Sequence, residues 1–276
     1  MLEIITPATI KWKLKELSIL VDEIENDVSD FVSIHQIKTE QDYINLTLQI
    51  LGKCIRTLRE IISLSSFGYP DGALSLSRNM YEQLILISFF ETISLLPDFQ
   101  EYIDDYYLDY DYQANKCLQL ENRYFTLDKS KQQRINQDKN RILSQAHYKP
   151  KGLYWWARKS SFKDLIDHVK SNQDASLTPL LNELHLEYKR ACLSLHSNCF
   201  GNIVRLGFKS ETNIIDNSPT INGHGLPLWI ATASFIMVVG ISFKVLGLDY
   251  QKYKQVLNDT AFFYKEMGIS ETSEEE

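Results

Sequence analysis

The sequence lacks the short motifs that mark the common nucleotide-dependent and zinc-dependent enzymes. It has no Walker-type phosphate loop, no Gly-x-Gly-x-x-Gly after a strand, no His-Glu-x-x-His, no Cys-x-x-Cys and no Gly-x-Ser-x-Gly. These absences argue against nucleotide hydrolases, dinucleotide-dependent oxidoreductases, zinc peptidases and serine hydrolases with the usual motifs. We therefore expect neither a metal nor a cofactor.

Cysteine is scarce, and the first residues lack the charged-then-apolar pattern of a secretory signal. The four cysteines are widely spaced, which predicts reduced thiols in a cytoplasmic protein. Cys192, His196 and Cys199, with His185, could place metal ligands near one helix end, but their spacing matches no common zinc motif. Buried thiols beside a hydrogen-bonded histidine are the expected alternative.

The chain as a whole has fewer basic than acidic residues, but one stretch of it is strongly basic. The formal net charge of −7 argues against a protein that coats nucleic acid non-specifically, because such binding depends on neutralising phosphates. From Lys129 to Lys170, however, eleven Lys or Arg face three acids. This stretch has the charge needed to contact a polyanion.

No period-two alternation is long enough to build a sheet, whereas apolar residues recur at helical spacing along most of the chain. We predict an all-α protein, a multi-helix bundle of about eight or nine helices with a HEPN-like core as one possibility. The predicted helices span residues 9–28, 43–64, 71–96, 99–120, 129–145, 162–169, 179–197, 226–246 and 250–267. Residues 1–269 are predicted to form a single all-α domain with a basic, polar helical excursion around 129–170, and residues 270–276 a disordered acidic tail.

One uncharged run of eighteen residues, Leu226 to Phe243, is at the lower limit of transmembrane length. It contains proline, glycine and hydroxyl side chains, and helices that are apolar on all sides also occur in large soluble cores. We expect a buried central helix and no membrane association.

The segment Ser66 to Glu82 is a turn signal followed by a helix. Glycine and proline punctuate the turn, and Asp71 is the predicted cap. Arg78 and Glu82 follow among large apolar residues, one helical turn apart. We expect a buried charged pair, which must be hydrogen-bonded because isolated buried charge is costly.

The segment GYPDGALSLSRNMYEQLI, followed much later by Tyr188 and the LSLH of Leu193 to His196, resembles a bacterial family of uncharacterised all-helical proteins. The family pattern is a Gly-Tyr-x-x-Gly-Ala turn, an Arg-x-x-x-Glu helix and a Tyr-x(4)-Leu-Ser-x-x-His-like helix. The resemblance covers roughly residues 50–200 and implies an α-helical fold without an established reaction. It also suggests an association with bacterial defence.

Arg190 and His196 resemble the Arg-x(4 to 6)-His motif of the HEPN ribonucleases. The resemblance implies a dimeric helical bundle that cleaves RNA without metal, with arginine and histidine from both subunits meeting at a cleft. On an ideal helix the six-residue offset leaves the two side chains about 120° apart, so they need a helix end or a partner subunit to converge. The alternative is an exposed Arg190 and a capping or core His196.

Together these patterns predict that Arg78 and Glu82 face His196, and with it Ser194 or Tyr188. In the functional interpretation Glu82 orients His196 and Arg78 binds an anion. In the structural interpretation the same residues form a polar network that fixes how two helices pack.

The aromatic group Tyr154, Trp155 and Trp156 beside Arg158 and Lys159 could stack bases and hold phosphates of single-stranded nucleic acid. The alternative is that the tryptophan pair anchors a loop in the core.

The leading hypothesis is a cytoplasmic, homodimeric, metal-independent ribonuclease acting on RNA as a toxin or abortive-infection effector. The alternative is a non-catalytic interaction or regulatory module that binds a protein partner.

Overall fold

The computed structural model describes residues 7–35, 42–124, 129–195 and 223–273. Over these ranges the chain forms nine α-helices and two short 3-10 turns, with no strand, which confirms the predicted all-α class. The helices are α1 (Pro7–His35), α2 (Tyr43–Ser66), α3 (Pro70–Ile93), α4 (Phe99–Tyr124), α5 (Lys129–Gln145), α6 (Phe162–Asn172), α7 (Thr178–Leu195), α8 (Gly225–Leu246) and α9 (Gln251–Ser273).

The chain divides into two compact units. The first comprises Met1–Lys38, Thr47–Ser88 and Asp174–Glu276, and the second comprises Thr39–Leu46 and Phe89–Gln173. The first unit therefore holds α1, most of α2 and α3, and α7 to α9. The second holds α4 to α6 with the remaining ends of α2 and α3, and it includes the basic stretch.

The turn between α2 and α3 forms where glycine and proline predict it. Gly68 has a φ of 82°, a left-handed conformation that favours glycine. The N–H of Tyr69 donates to the carbonyl of Leu64 over 2.9 Å. Helix α3 begins at Pro70, because proline suits the first helical position, so Asp71 lies in the first turn rather than at the cap.

Helices α8 and α9 pack against each other in the core of the first unit. Within the described part of the chain, α8 is the one helix long and apolar enough to cross a membrane, and 83% of its most apolar window is buried. This burial agrees with the predicted central helix. The two backbones approach closely at Gly225 and Gly268, where a Cβ on Gly225 would lie 2.3 Å from the Gly268 nitrogen.

Polar contacts join α1 to its neighbours at the surface of the first unit. Arg59 on α2 binds both Asp22, at 2.6 Å, and Glu25. The hydroxyl of Tyr253 on α9 donates to Asp27 over 2.6 Å. Exposed ion pairs contribute little stability, so buried apolar packing is the main support of this unit.

In the second unit, α5 is a solvated helix that rests on α4, as its polar sequence predicts. Its buried residues are Ile135 and Ile142. Asn115 of α4 donates to the carbonyl of Ile135 over 2.8 Å. The buried carboxylate of Asp105 accepts the backbone N–H of His147 at 2.9 Å, which fixes the chain after α5.

Helix α9 continues to Ser273, past the predicted start of the acidic tail at residue 270. No apolar residue lies from Ser270 to Ser273, so neither apolar spacing nor acidic composition marked where this helix ends. Residues 274–276 lie outside the described residues.

Candidate functional site

A polar cluster lies where α3 and α7 meet in the first unit. Arg78 and Glu82 occupy successive turns of α3, with the Nη2 and Oε1 atoms 4.0 Å apart. Their side chains are 26% and 35% exposed. The expectation of a buried pair was wrong: the apolar neighbours in sequence lie on other faces of α3, and this face is partly open to solvent.

Tyr188 of α7 connects the two helices. Its hydroxyl donates to Oε1 of Glu82 over 3.1 Å, and the Arg78 guanidinium lies 5.7 Å from the centre of its ring. Burial, and next the negative charge of Glu82, raise the pKa of Tyr188. The phenol therefore stays protonated near neutral pH and remains a hydrogen-bond donor.

A second contact between the same helices joins Tyr81 and His185. Tyr81 is fully buried, and its hydroxyl lies 3.3 Å from Nδ1 of His185. The ring of Tyr81 also packs against that of Tyr188, with centroids 4.9 Å apart. Burial raises the pKa of Tyr81, which keeps this phenol protonated as well.

Cys192 completes the described cluster one turn after Tyr188. Burial acts to lower the pKa of Arg78, but Cys192, Tyr188 and Glu82 together raise it overall. An arginine guanidinium is charged at physiological pH in any protein environment, so Arg78 is a cation here.

The sequence missed Tyr81 altogether and considered His185 only as a metal ligand. The available signal was the spacing of His185, Tyr188 and Cys192, at intervals of three and four residues, which places them on one face of α7.

Several predicted site residues lie elsewhere or beyond what the structure describes. His196 and Cys199 are outside the described residues, and Ser194 belongs to α7 without a described side chain. Arg190 is 63% exposed and pairs with Glu187 at 2.6 Å. The predicted meeting of His196 with Arg78 and Glu82 thus stays a prediction, whereas Tyr188 does meet both.

The tryptophan pair lies in the core of the second unit. Trp155 and Trp156 are 1% and 4% exposed. The indole N–H of Trp155 donates to Asp109 over 2.6 Å, and Trp156 stacks on Phe90 with centroids 5.4 Å apart. Neither ring presents a face to solvent, so base stacking on this pair has no support and the core-anchor alternative is favoured.

The two cations beside the tryptophan pair, Arg158 and Lys159, differ in their contacts. Arg158 donates to Asp98 at 2.6 Å and to Glu101 at 2.9 Å, and its guanidinium lies 4.1 Å from the ring centre of Tyr102. These contacts occupy the charge that was predicted to bind phosphate. Lys159 is half-buried.

Among the described residues no group of three or more His, Cys, Asp or Glu side chains is arranged to hold a metal ion. Two members of the cysteine and histidine group considered from sequence, His196 and Cys199, are outside those residues. The described residues therefore offer polar and cationic chemistry rather than a ligand set.

The structure is therefore that of an all-α protein with a cluster of charged and aromatic side chains between α3 and α7. Residues 44–213, more than half of the chain, match DUF5677, a family of unknown function, and the chain belongs to this family. The match agrees with the predicted membership of an uncharacterised family. Neither the curated proteins nor the solved structures include a match to this chain.

Proposed function

We propose that this protein is a HEPN-like, metal-independent RNA endonuclease in which Arg78 binds the phosphate and Glu82 and Tyr188 position the groups around it. The observation that carries the proposal is the state of Arg78. Its contact with Glu82 is 4.0 Å, too long for a hydrogen bond, while Glu82 accepts from Tyr188 instead. The charged, partly exposed guanidinium retains donors for a phosphate oxygen.

The chemistry needs a base, an acid and a cation. The ribose 2′-hydroxyl loses its proton to a base and attacks the adjacent phosphorus. The P–O2′ bond forms, the P–O5′ bond breaks, and the products are a 2′,3′-cyclic phosphate and a 5′-hydroxyl. Arg78 stabilises the negative charge that develops on the phosphoryl oxygens. The leaving O5′ takes its proton from water, while Tyr188 keeps its own proton in the hydrogen bond to Glu82.

His196 is the proposed base, because an imidazole exchanges protons near neutral pH. In sequence it follows Cys192 by four residues, and it also completes the Arg190 motif. Arg190 follows Tyr188 by two residues, which on α7 puts the two side chains on different faces. We therefore assign Arg190 to the site of a second copy, so that a homodimer supplies each cleft.

The test is incubation of the purified chain with total RNA or tRNA in EDTA, which silences metal-dependent nucleases. Wild-type protein is expected to cleave and to leave 2′,3′-cyclic phosphate ends. His196→Ala and Arg78→Ala are expected to lose about 100-fold or more of the rate. His35→Ala and Arg56→Ala, at exposed positions on α1 and α2, are the matched controls.

Subunit mixing tests the shared site. If Arg190 and His196 act in the same cleft from different subunits, mixing Arg190→Ala with His196→Ala restores about a quarter of wild-type activity, since half of the dimers are mixed and each has one intact site. No cleavage by wild type, or equal cleavage by wild type and His196→Ala, contradicts the proposal.

The second candidate is a non-catalytic interaction module in which the cluster fixes the packing of α3 on α7. It is favoured by the contacts of Tyr81 and Tyr188, which satisfy polar groups within the protein. Glu82→Gln separates the two candidates. A packing role predicts a lower midpoint of thermal unfolding with no RNA cleavage to lose, whereas a catalytic role predicts lost cleavage at a nearly unchanged midpoint.

Cytoplasmic location and action as a toxin or abortive-infection effector belong to the same proposal. Growth arrest on expression of wild type but not of His196→Ala is the expected phenotype. Co-purification of a stoichiometric protein partner, with function unaffected by His196→Ala, is the result that favours the interaction module.

A further inference from the structure

We propose that the second unit binds the backbone of single-stranded RNA through four exposed cations distributed around α5, Lys129, Lys131, Arg134 and Lys139, which are together called the basic surface. This inference rests on the proposed function for the choice of RNA among polyanions. It concerns binding rather than cleavage, and it assigns the contact to the α5 part of the basic stretch Lys129 to Lys170 rather than to the Trp155 and Arg158 region.

The charge of this region departs strongly from that of the whole chain. From Lys129 to Lys151 there are seven Lys or Arg and one acid, Asp138, in a protein whose net charge is −7. All four side chains of the basic surface are exposed. A concentrated positive surface on an acidic protein attracts a polyanion locally, because release of condensed counterions favours each phosphate contact.

The packing of α5 explains where this charge lies. The helix buries Ile135 and Ile142 against α4, to which it runs antiparallel, as the contacts of Asn115 with Ile135 and of Asp111 with Arg141 show. The Asp111 contact, at 2.7 Å, lies near the C-terminal end of α5. Asp111 pairs with Arg141 there, while Lys129, Lys131 and Arg134 lie in the N-terminal half of α5 and Lys139 lies just past its middle.

Exposed tyrosines supply stacking faces that the buried tryptophans do not. Tyr148, which follows α5, is 47% exposed and precedes Lys149 and Lys151, both exposed. Tyr110 of α4 is 79% exposed. These rings lie near the C-terminal end of α5, with Lys149 and Lys151 close to Tyr148 in sequence, and the unpaired bases of a single strand are free to stack on such rings.

A membrane surface fits this helix less well than RNA does. An interfacial helix needs a broad apolar face that enters the acyl region. The isoleucines of α5 are buried within the unit, and Leu143 is its exposed large apolar residue. The described helix therefore has the charge for a polyanion and lacks the apolar face for a bilayer.

The test measures binding of a short fluorescent single-stranded RNA with 2′-O-methyl groups at every ribose, which cannot be cleaved. One variant combines Lys129→Gln, Lys131→Gln, Arg134→Gln and Lys139→Gln, since glutamine favours helix. The matched control combines Lys11→Gln, Lys15→Gln, Lys244→Gln and Lys254→Gln, exposed positions on α1, α8 and α9. Both variants change the net charge equally.

The α5 variant is expected to raise Kd by about tenfold or more at about 100 mM salt, and the control by less than about twofold. The slope of log Kd against log salt is expected to fall by about 0.7 for each phosphate contact removed. Equal effects of the two variants, equal affinity for duplex RNA, or competition by anionic lipid vesicles would each overturn the inference.

The two proposals fail in different ways. Tight, α5-dependent binding without cleavage of unmodified RNA supports the basic surface and contradicts the endonuclease. Cleavage with binding that does not depend on α5 supports the endonuclease and contradicts the basic surface.

Discussion

The close approach of α8 and α9 makes opposite predictions for one substitution at two positions. A Cβ at Gly225 would lie 2.3 Å from the nitrogen and 2.5 Å from the Cα of Gly268. Both atoms belong to the backbone, so no side chain can rotate away to relieve the contact. At Gly52, an exposed position within α2, a Cβ would meet no atom within 4 Å.

The magnitudes follow from these distances. Gly225→Ala must push the helices apart, and overpacking of a tight core costs about 1–3 kcal/mol or more. The gain in helix propensity is small, because Gly225 is the first residue of α8. Gly52→Ala lies inside a helix and is expected to stabilise the protein by up to about 1 kcal/mol. Gly268→Ala, whose Cβ would lie 3.3 Å from the Leu226 nitrogen, should fall between them.

Thermal and urea unfolding, followed by circular dichroism at 222 nm, are the assays. For a chain of this size a change of 1 kcal/mol corresponds to about 2–4 °C in the midpoint. The expected order of midpoints is Gly225→Ala, Gly268→Ala, wild type and Gly52→Ala, from lowest to highest. A Gly225→Ala protein as stable as wild type would refute the α8–α9 contact.

Three other substitutions test local features by the same unfolding assays. Ser161→Ala removes the hydroxyl that accepts the N–H of Asp164 at the start of α6, over 3.2 Å, and is expected to cost about 1 kcal/mol. Tyr188→Phe removes the 3.1 Å bond to Glu82 at an expected cost of about 0.5–1.5 kcal/mol, and no measurable loss would contradict that bond. Asp109 has its pKa raised, first by burial, so its ionised form disfavours the folded state. The midpoint of wild type relative to Asp109→Asn should therefore rise as pH falls from 7 toward the ordinary carboxyl pKa of 3.8, and a constant difference would contradict the shift.

Most helices were predictable because the spacing of apolar residues and the positions of proline, glycine and capping residues indicate the same elements along this chain. Helix α5 begins and ends where its polar pattern predicts, and α3 begins within one residue of its predicted start. Helix ends were missed both from apolar periodicity and from composition, since α1 continues to His35, past its predicted end at residue 28. The acidic composition of residues 270–276 predicted a disordered tail, yet α9 continues to Ser273.

The site was predictable only in outline. Sequence pattern paired α3 with α7, and the structure brings Glu82 and Tyr188 into contact across 106 positions of chain. The sequence could not reveal that this face is partly open, because apolar neighbours in sequence say little about the opposite face of the same helix. Tyr81 was missed for a related reason. A tyrosine among leucines predicts a core residue, and only the structure shows that its hydroxyl contacts His185.

The region that matches the family, residues 44–213, spans α2 to α7 and includes both helices of the cluster. The α8–α9 contact that closes the core of the first unit lies outside that region. The α8–α9 contact and the Arg78 cluster share no residue, so they can be perturbed separately. Under the proposed endonuclease function, a loss of RNA cleavage in Gly225→Ala should follow the fraction unfolded and recover on cooling. A loss in Arg78→Ala should persist at temperatures where the protein is fully folded, because it removes a charge from the site.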